Sequence, residues 1–279
     1  MATLAPKLPY THPFAGGFPY RGSQRLPSDP DALTYLAAVA AADGAPVETA
    51  VAMAVDDFFR GIKADNTFSA IKAACLLCGA RTLAGALVPL VGAAPTNNNF
   101  LPGDYNRETG LVGDGSTKYL DSGRDCIADG QDDSHFSVFV TQLASTSGLS
   151  YLGYNTSTAG VRAESQTTVG GNSFTLLHSN GSSNMALPAT GGLVGASRSS
   201  ASAFTGYSGG NTEVVASTSV SQSSASPLTF SIFRRNRKDG GTTQPTDARL
   251  AFYSIGESLD LALLDAHITA LVTAIGAAL

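Results

Sequence analysis

The sequence predicts an α+β chain: an extended N-terminal arm, a helical segment, an antiparallel β-sandwich of the jelly-roll kind, and a closing C-terminal helix. Three observations carry this expectation. Prolines and aromatics alternate through residues 1–30, and alanine-rich helical periodicity fills residues 31–94. From residue 95 to 257 Ser, Thr, Gly and Asn dominate and the apolar rhythm shortens to period two, before residues 258–279 return to helical spacing.

The arm carries Pro6, Pro9, Pro13, Pro19, Pro27 and Pro30, which remove backbone donors and fix φ, so it is extended and not helical. Tyr10, Phe14, Phe18 and Tyr20 sit between these prolines. They are the candidate partner-contact residues, seated either on a neighbouring subunit or back on the chain's own domain.

Asp29 followed by Pro30 is an N-cap with proline at the first helical position, and DALTYLAAVAAAD then runs to a stop at Gly44. A second helix places Val47, Val51, Ala54, Val55, Phe58 and Ile62 on one stripe and ends near Asp65-Asn66. A third helix is expected over Thr67–Cys78, where Ile71, Ala74, Cys75 and Cys78 recur at helical intervals. Cys75 and Cys78 form a C-x-x-C, but no second pair completes a metal site, so the expectation is packing.

HFSVFVTQL sets Phe136, Val138 and Val140 on one face of a strand, and eight further segments of similar length follow or flank it. Turn signals at Gly170-Gly171-Asn172, Asn180-Gly181 and Gly209-Gly210-Asn211 separate them. Strands at this spacing, with no intervening helices, argue for a sandwich. In the C-terminal helix Ser258 is the expected cap, and Leu261, Leu264, Ile268, Leu271 and Ile275 form a stripe for docking on the sandwich.

Hydrophobic residues make up 43% and charged residues 14%, which describes a globular chain. The net charge of −5 and a single short basic cluster at Arg234–Lys238 argue against duplex nucleic acid as a partner. No secretory signal is expected from MATLAPKLPYTHPF. Thr82–Ala94, read as the longest apolar run, is interrupted by Pro89 and too short to span a bilayer, so no membrane insertion is expected.

LVGDGSTKYLDSG at residues 111–123 poses the question of a ligand loop. Lys118 stands at the wrong spacing for a phosphate-binding loop. The nearby acidic run makes Asp125, Asp129, Asp132 and Asp133 weak calcium candidates, without the register of a helix–loop–helix calcium site. Gly113-Asp114-Gly115 is therefore expected to turn a β-hairpin. No cofactor and no structural metal are expected.

NNNFLPGDYNRETGLVGDGSTKYLDSG, together with ARLAFYSIGESLDLALLDAHITAL, resembles a family of bacteriophage and prophage virion proteins. The helical stretch DDFFRGIKADNTFSAIKAACLLCGARTLAGALVPL resembles the same family. The resemblance implies a concanavalin A-like (LamG-like) sandwich preceded by a helical segment. It also implies a structural component of a tailed-phage particle, as a tail fibre, baseplate part or related appendage, located in the virion and assembled in the host cytoplasm. Other virion proteins and a homo-oligomer, a trimer by analogy, are the implied partners.

Three functions follow from this. A virion appendage could contact host surface glycans; with no Trp in the chain, Tyr151, Tyr154 and Tyr207 are the candidate platforms. A capsid decoration protein would act by subunit contact alone. A glycoside hydrolase on the same sandwich would need two facing carboxyl groups, and Glu108, Glu164, Glu213 and Glu257 lie in separate segments. His12, His135, His178 and His267 are scattered and no Gly-x-Ser-x-Gly elbow occurs, so no enzyme is expected.

Overall fold

The computed structural model describes residues 25–156, 162–167, 172–223, 225 and 227–279. Tyr10, Phe14, Phe18 and Tyr20 lie outside the described residues, as do two of the three residues of the expected 170–172 turn. The helices are α1 (Pro30–Asp43), α2 (Thr49–Ala64), the short α3 (Leu83–Ala86) and α4 (Leu261–Ala278). The first strands are β1 (Ile71–Leu76), β2 (Pro89–Val91), β3 (Thr96–Asn98), β4 (Tyr105–Asn106), β5 (Gly110–Val112) and β6 (Tyr119–Asp125). Then come β7 (Ser134–Gln142), β8 (Ser150–Asn155), β9 (Arg162–Thr167), β10 (Asn172–Leu177), β11 (Ser183–Ala186) and β12 (Gly192–Arg198). The last are β13 (Ala203–Ser208), β14 (Asn211–Ala216), β15 (Thr229–Ile232), β16 (Arg235–Arg237) and β17 (Arg249–Gly256).

Two sheets face each other. One runs β14-β13-β12-β7-β17-β1-β2, with β5 extending it beside β17 and β4 paired to β5. The other runs β11-β10-β9-β8-β15-β6-β3, with β16 added parallel to β8. Every other pairing among the described strands is antiparallel, which makes the chain an antiparallel β-sandwich as the sequence predicts. Phe136, Val138 and Val140 point between the sheets and pack with Tyr154, Phe230 and Tyr253. The opposite face of the first sheet is covered by α1, α2 and α4, where Phe58, Phe59 and Ile62 meet Phe252, Leu193 and the α4 stripe. The molecule is thus three layers: sheet, sheet, helices.

Local chemistry sets several boundaries as expected. The Asp29 carboxylate accepts from the N–H groups of Asp31 and Ala32, and Gly44 ends α1 at φ +74°. Leu261, Leu264, Ile268, Leu271 and Ile275 are the buried residues of α4. Its cap is Asp260 and not Ser258: Asp260 accepts from Ala262 N–H, while Ser258 donates instead to Asp133. By length and composition α4, unlike residues 82–94, could cross a bilayer; here its apolar stripe packs on α2 and the sheet.

The expected third helix is corrected. Residues 68–70 form one 3₁₀ turn and residues 71–76 form β1, paired to β17 with Cys75 opposite Tyr253. Ala73, Cys75 and Leu77 pack between the sheets while Ile71, Ala74, Leu76 and Cys78 pack under the helices. A strand buried on both faces loses its alternation, and such a run cannot be told from a buried helix by periodicity. The cysteines are free and buried, and burial pushes the Cys78 thiol up to about 12, which makes it inert packing.

A buried carboxylate roots the arm. Asp56 on α2 is fully buried, and its Oδ1 accepts from Ser28 N–H (2.7 Å) and Asp29 N–H (2.6 Å) while Oδ2 accepts from Arg25 (2.6 Å). Asp56→Ala leaves those two backbone donors without a partner and is expected to cost about 2–4 kcal/mol, measurable by urea unfolding. A change below about 0.5 kcal/mol would show that water replaces the carboxylate there.

Candidate functional site

The alternation of β12, β13 and β14 puts small polar side chains on the outer face of the first sheet. Register places Ser197 opposite Thr205, Thr205 opposite Val214, and Tyr207 opposite both Gly195 and Thr212. Helix α4 covers Leu193 and Tyr207 but leaves the edge open, and Val214 is 72% exposed. Two clefts result. The first, about 490 Å³, lies between this edge and the start of α4; hydroxyls of Ser197, Ser199, Thr205, Thr212 and Ser258 line it with Val214, Leu259 and Asp260. The second, about 460 Å³, lies along the other flank of α4, with Phe139, Thr141, Thr190, Asp265, Thr269 and Thr273 around a glycine lip at 191–192 and 209–210. Gly209 and Gly210 form the hairpin turn between β13 and β14 at φ +53° and +90°, and Gly191, at φ +86°, leads into β12.

Tyr207 stands between the clefts. Its hydroxyl donates to Asp265 Oδ2 at 2.7 Å, and burial followed by that carboxylate pushes the phenol far above its usual range. Asp260, the other cleft carboxylate, is engaged as the α4 cap. Each acid is therefore tied to a structural donor, and the walls offer hydroxyls suited to hydrogen bonding a polyol.

A Ser–His arrangement lies beneath. His135 Nε2 is 3.0 Å from Ser254 Oγ, which is 2.8 Å from Ser137 Oγ, and His135 Nδ1 is 2.5 Å from the Glu257 carbonyl oxygen. All three side chains are buried, and burial pushes the imidazole down to about 4. A nucleophile needs access to its substrate, so this cluster serves as a polar seam under the helices. Sequence reasoning missed it because residues 135, 137 and 254 meet only through the β7–β17 register.

The three candidate tyrosines are corrected. Tyr151 and Tyr154 pack between the sheets, the latter hydrogen-bonded to His178 Nδ1 at 3.0 Å and edge-on to Phe230. Tyr207 is 3% exposed. None of them presents a ring face to solvent, because a strand tyrosine serves as a platform only on an uncovered face.

The acidic run is also dispersed. Asp129 pairs with Arg124, Asp133 accepts from Ser258, and Asp125 accepts from Ile127 N–H. Asp132 Oδ1 is buried without a hydrogen-bond partner. Among the described residues no group of three or more His, Cys, Asp or Glu stands together to hold a metal. The Gly113–Gly115 turn is real, with Gly115 at φ +66°, but it is not a hairpin: it carries the chain from β5 in one sheet to β6 in the other. Asp114 closes it by accepting from the N–H groups of Ser116, Thr117 and Lys118, which holds its carboxyl well below the usual range despite some burial.

The geometry defines a β-sandwich module with one helix-covered sheet and a hydroxyl-lined edge. No protein-family model and no curated protein sequence matches the chain. Among solved structures it is similar to Trypanosoma rangeli sialidase in complex with a difluoro-KDN, at TM-score 0.44 and 9% identity over 78% of this chain and 39% of that one. It is also similar to the binding domain of botulinum neurotoxin serotype D, at 0.43 and 10% over 72% of this chain and 51% of that one. A third is the enzymatically active domain of bacteriophage CBA120 tailspike protein 2, at 0.35 and 10% over 62% and 29%. The chain spans about two fifths of the sialidase and half of the neurotoxin domain. At these scores the likenesses carry no argument about function.

Proposed function

We propose that the chain is a non-catalytic structural component of a tailed-phage appendage, assembling as a homo-oligomer, a trimer by analogy, through its arm and helices. Its hydroxyl-lined edge contacts host surface glycan. The virion role rests on the sequence resemblance, whose two blocks adjoin in the fold: β5 pairs with β17 through Leu111 and Leu250. The observation that carries the non-catalytic, binding role is the state of the cleft acids. Asp260 caps a helix, Asp265 holds Tyr207, and they line different clefts. Glycosidic hydrolysis needs an acid–base or acid–nucleophile pair across one scissile bond. Hydroxyl walls flanked by one exposed aliphatic suit weak, multivalent sugar contact.

The test incubates full-length protein with host-cell surface polysaccharide and reads both retention and release of reducing ends. Retention without release is expected, with Thr205→Arg or Ser199→Arg weakening retention at least tenfold by filling the first cleft. New reducing ends would overturn the non-catalytic reading. No retention, with incorporation into particles, would leave the contact-only decoration role.

A further inference from the structure

The two sheets end in edges of unequal protection. Edge strands are commonly blunted by shortness, Pro, Lys or a bulge, because an open row of N–H and C=O groups recruits another strand. β2 and β3 are three residues each, and β2 opens on Pro89. On β11 the Asn184 N–H already donates to the Glu213 carboxylate at 3.2 Å. β14 ends the first sheet beyond β13 and runs six residues, NTEVVA, with no Pro, Lys or Arg, and it pairs with β13 without a bulge. Every residue of it but Val215 is exposed, and Val214 is the most exposed large apolar side chain among the described residues.

Register fixes which groups are open. The turn at Gly209-Gly210 makes Ser208 and Asn211 a hydrogen-bonded pair, so alternation turns the backbone groups of Asn211, Glu213 and Val215 towards β13. Those of Thr212, Val214 and Ala216 point outward, and among the described residues no strand pairs with them. This row is self-complementary. An antiparallel dyad at Val214 sets Val214 against its copy and each Thr212 against the other copy's Ala216, which engages every outward group of both strands. Glu213 then faces Val215 and not its twin. A dyad at residue 213 would set the two Glu213 carboxylates directly opposite each other, a destabilising pair. A dyad at residue 215 would leave Thr212 beyond the end of the other strand.

We propose that β14 is a dimerisation edge, pairing antiparallel with β14 of a second copy across a dyad at Val214 and joining the two first sheets into one. Thr212 and Val214 also line the first cleft, so each copy's Ala216 stands beside the other copy's cleft. The pairing does not depend on the role proposed above.

Cysteines read the register directly. The chain's own Cys75, Cys78 and Cys126 are free and buried, so an introduced thiol reports alone. Hydrogen-bonded antiparallel partners stand about 5.5 Å apart at Cα, within disulfide range. Under mild oxidation full-length Val214→Cys should run as a covalent dimer on a denaturing gel. Thr212→Cys should stay monomeric alone and cross-link when mixed with Ala216→Cys. In light scattering the mass of the unmodified protein should double along a concentration series. Val214→Pro, which removes an outward N–H, and Val214→Lys, which opposes two ammonium groups, should keep the lower mass and an unchanged circular-dichroism melt. Equal self-cross-linking at positions 212 and 214 would overturn the proposal, since it reports random collision. So would a mass that never doubles, or doubling that survives both Val214 variants, which would place the contact elsewhere.

Discussion

Lowering the pH from 6.5 to 4.5 should remove about 4 kcal/mol of folding stability, a large share of the roughly 5–15 kcal/mol of a typical domain. His135 and His178 are buried, and burial pushes their imidazoles down to about 4 and about 3; Arg198 adds to the depression at His178. Both are neutral in the fold, whereas in the unfolded chain they titrate near the ordinary value of 6.5. The unfolded state therefore binds more protons throughout this window, and stability rises with pH across it. The contribution is complete above the unfolded value and is lost as pH falls towards the folded ones. Each histidine accounts for roughly 2 kcal/mol over these two units, because the unfolded imidazole is only half protonated at pH 6.5.

The carboxylates held low by their partners, Asp56 and Asp104 among them, act later. Their stabilisation is present above the ordinary 3.8 and falls away only as pH drops through it. Urea unfolding at half-unit steps should thus show uptake on unfolding that approaches two protons near pH 5. His135→Asn and His178→Gln should each remove one. A flat profile above pH 4.5 would mean that neither imidazole is buried in solution.

Arg198→Ala should cost about 3–5 kcal/mol, the largest effect expected of a single substitution outside the apolar core. The guanidinium is fully buried between the sheets. Its Nε donates to the Leu177 carbonyl at 3.1 Å, and one terminal nitrogen donates to the carbonyls of Ser200, Ala203 and Ser217 at 3.0–3.3 Å. Its face lies 5.5 Å from the Phe204 ring. No carboxylate forms an ion pair with it among the described residues, and burial lowers its pKa. Truncation leaves four carbonyls without this donor and opens a cavity.

Arg198→Met keeps the volume and should still cost about 2 kcal/mol, because the carbonyls lose the guanidinium donor. A methionine variant as stable as the parent would show that desolvating the cation cancels its bonds. Of the segments it ties together, the connection between β12 and β13 carries Ser199 of the first cleft's wall. Loss of Arg198 should therefore weaken glycan retention as well as stability.

What the sequence determined by itself is what short-range chemistry decides. Asp29-Pro30 and Gly44 bound α1 because capping and positive φ involve only neighbouring residues. Phe136, Val138 and Val140 announce β7 because polar His135 and Ser137 hold alternate positions although both faces are buried, and the 261–275 stripe announces α4 because one helix face is buried. The tertiary structure decided everything that depends on which face is covered, and by what. β1 reads as a helix because sheet and helices bury it from both sides. Gly113–Gly115 reads as a hairpin because a turn's chemistry does not say whether the next strand joins the same sheet. The tyrosines read as platforms because exposure belongs to the assembled layers and not to the strand. The clefts, the His135–Ser254 seam and the Arg198–Leu177 bond join residues roughly 20 to 130 positions apart, through strand register and helix packing that no local signal encodes.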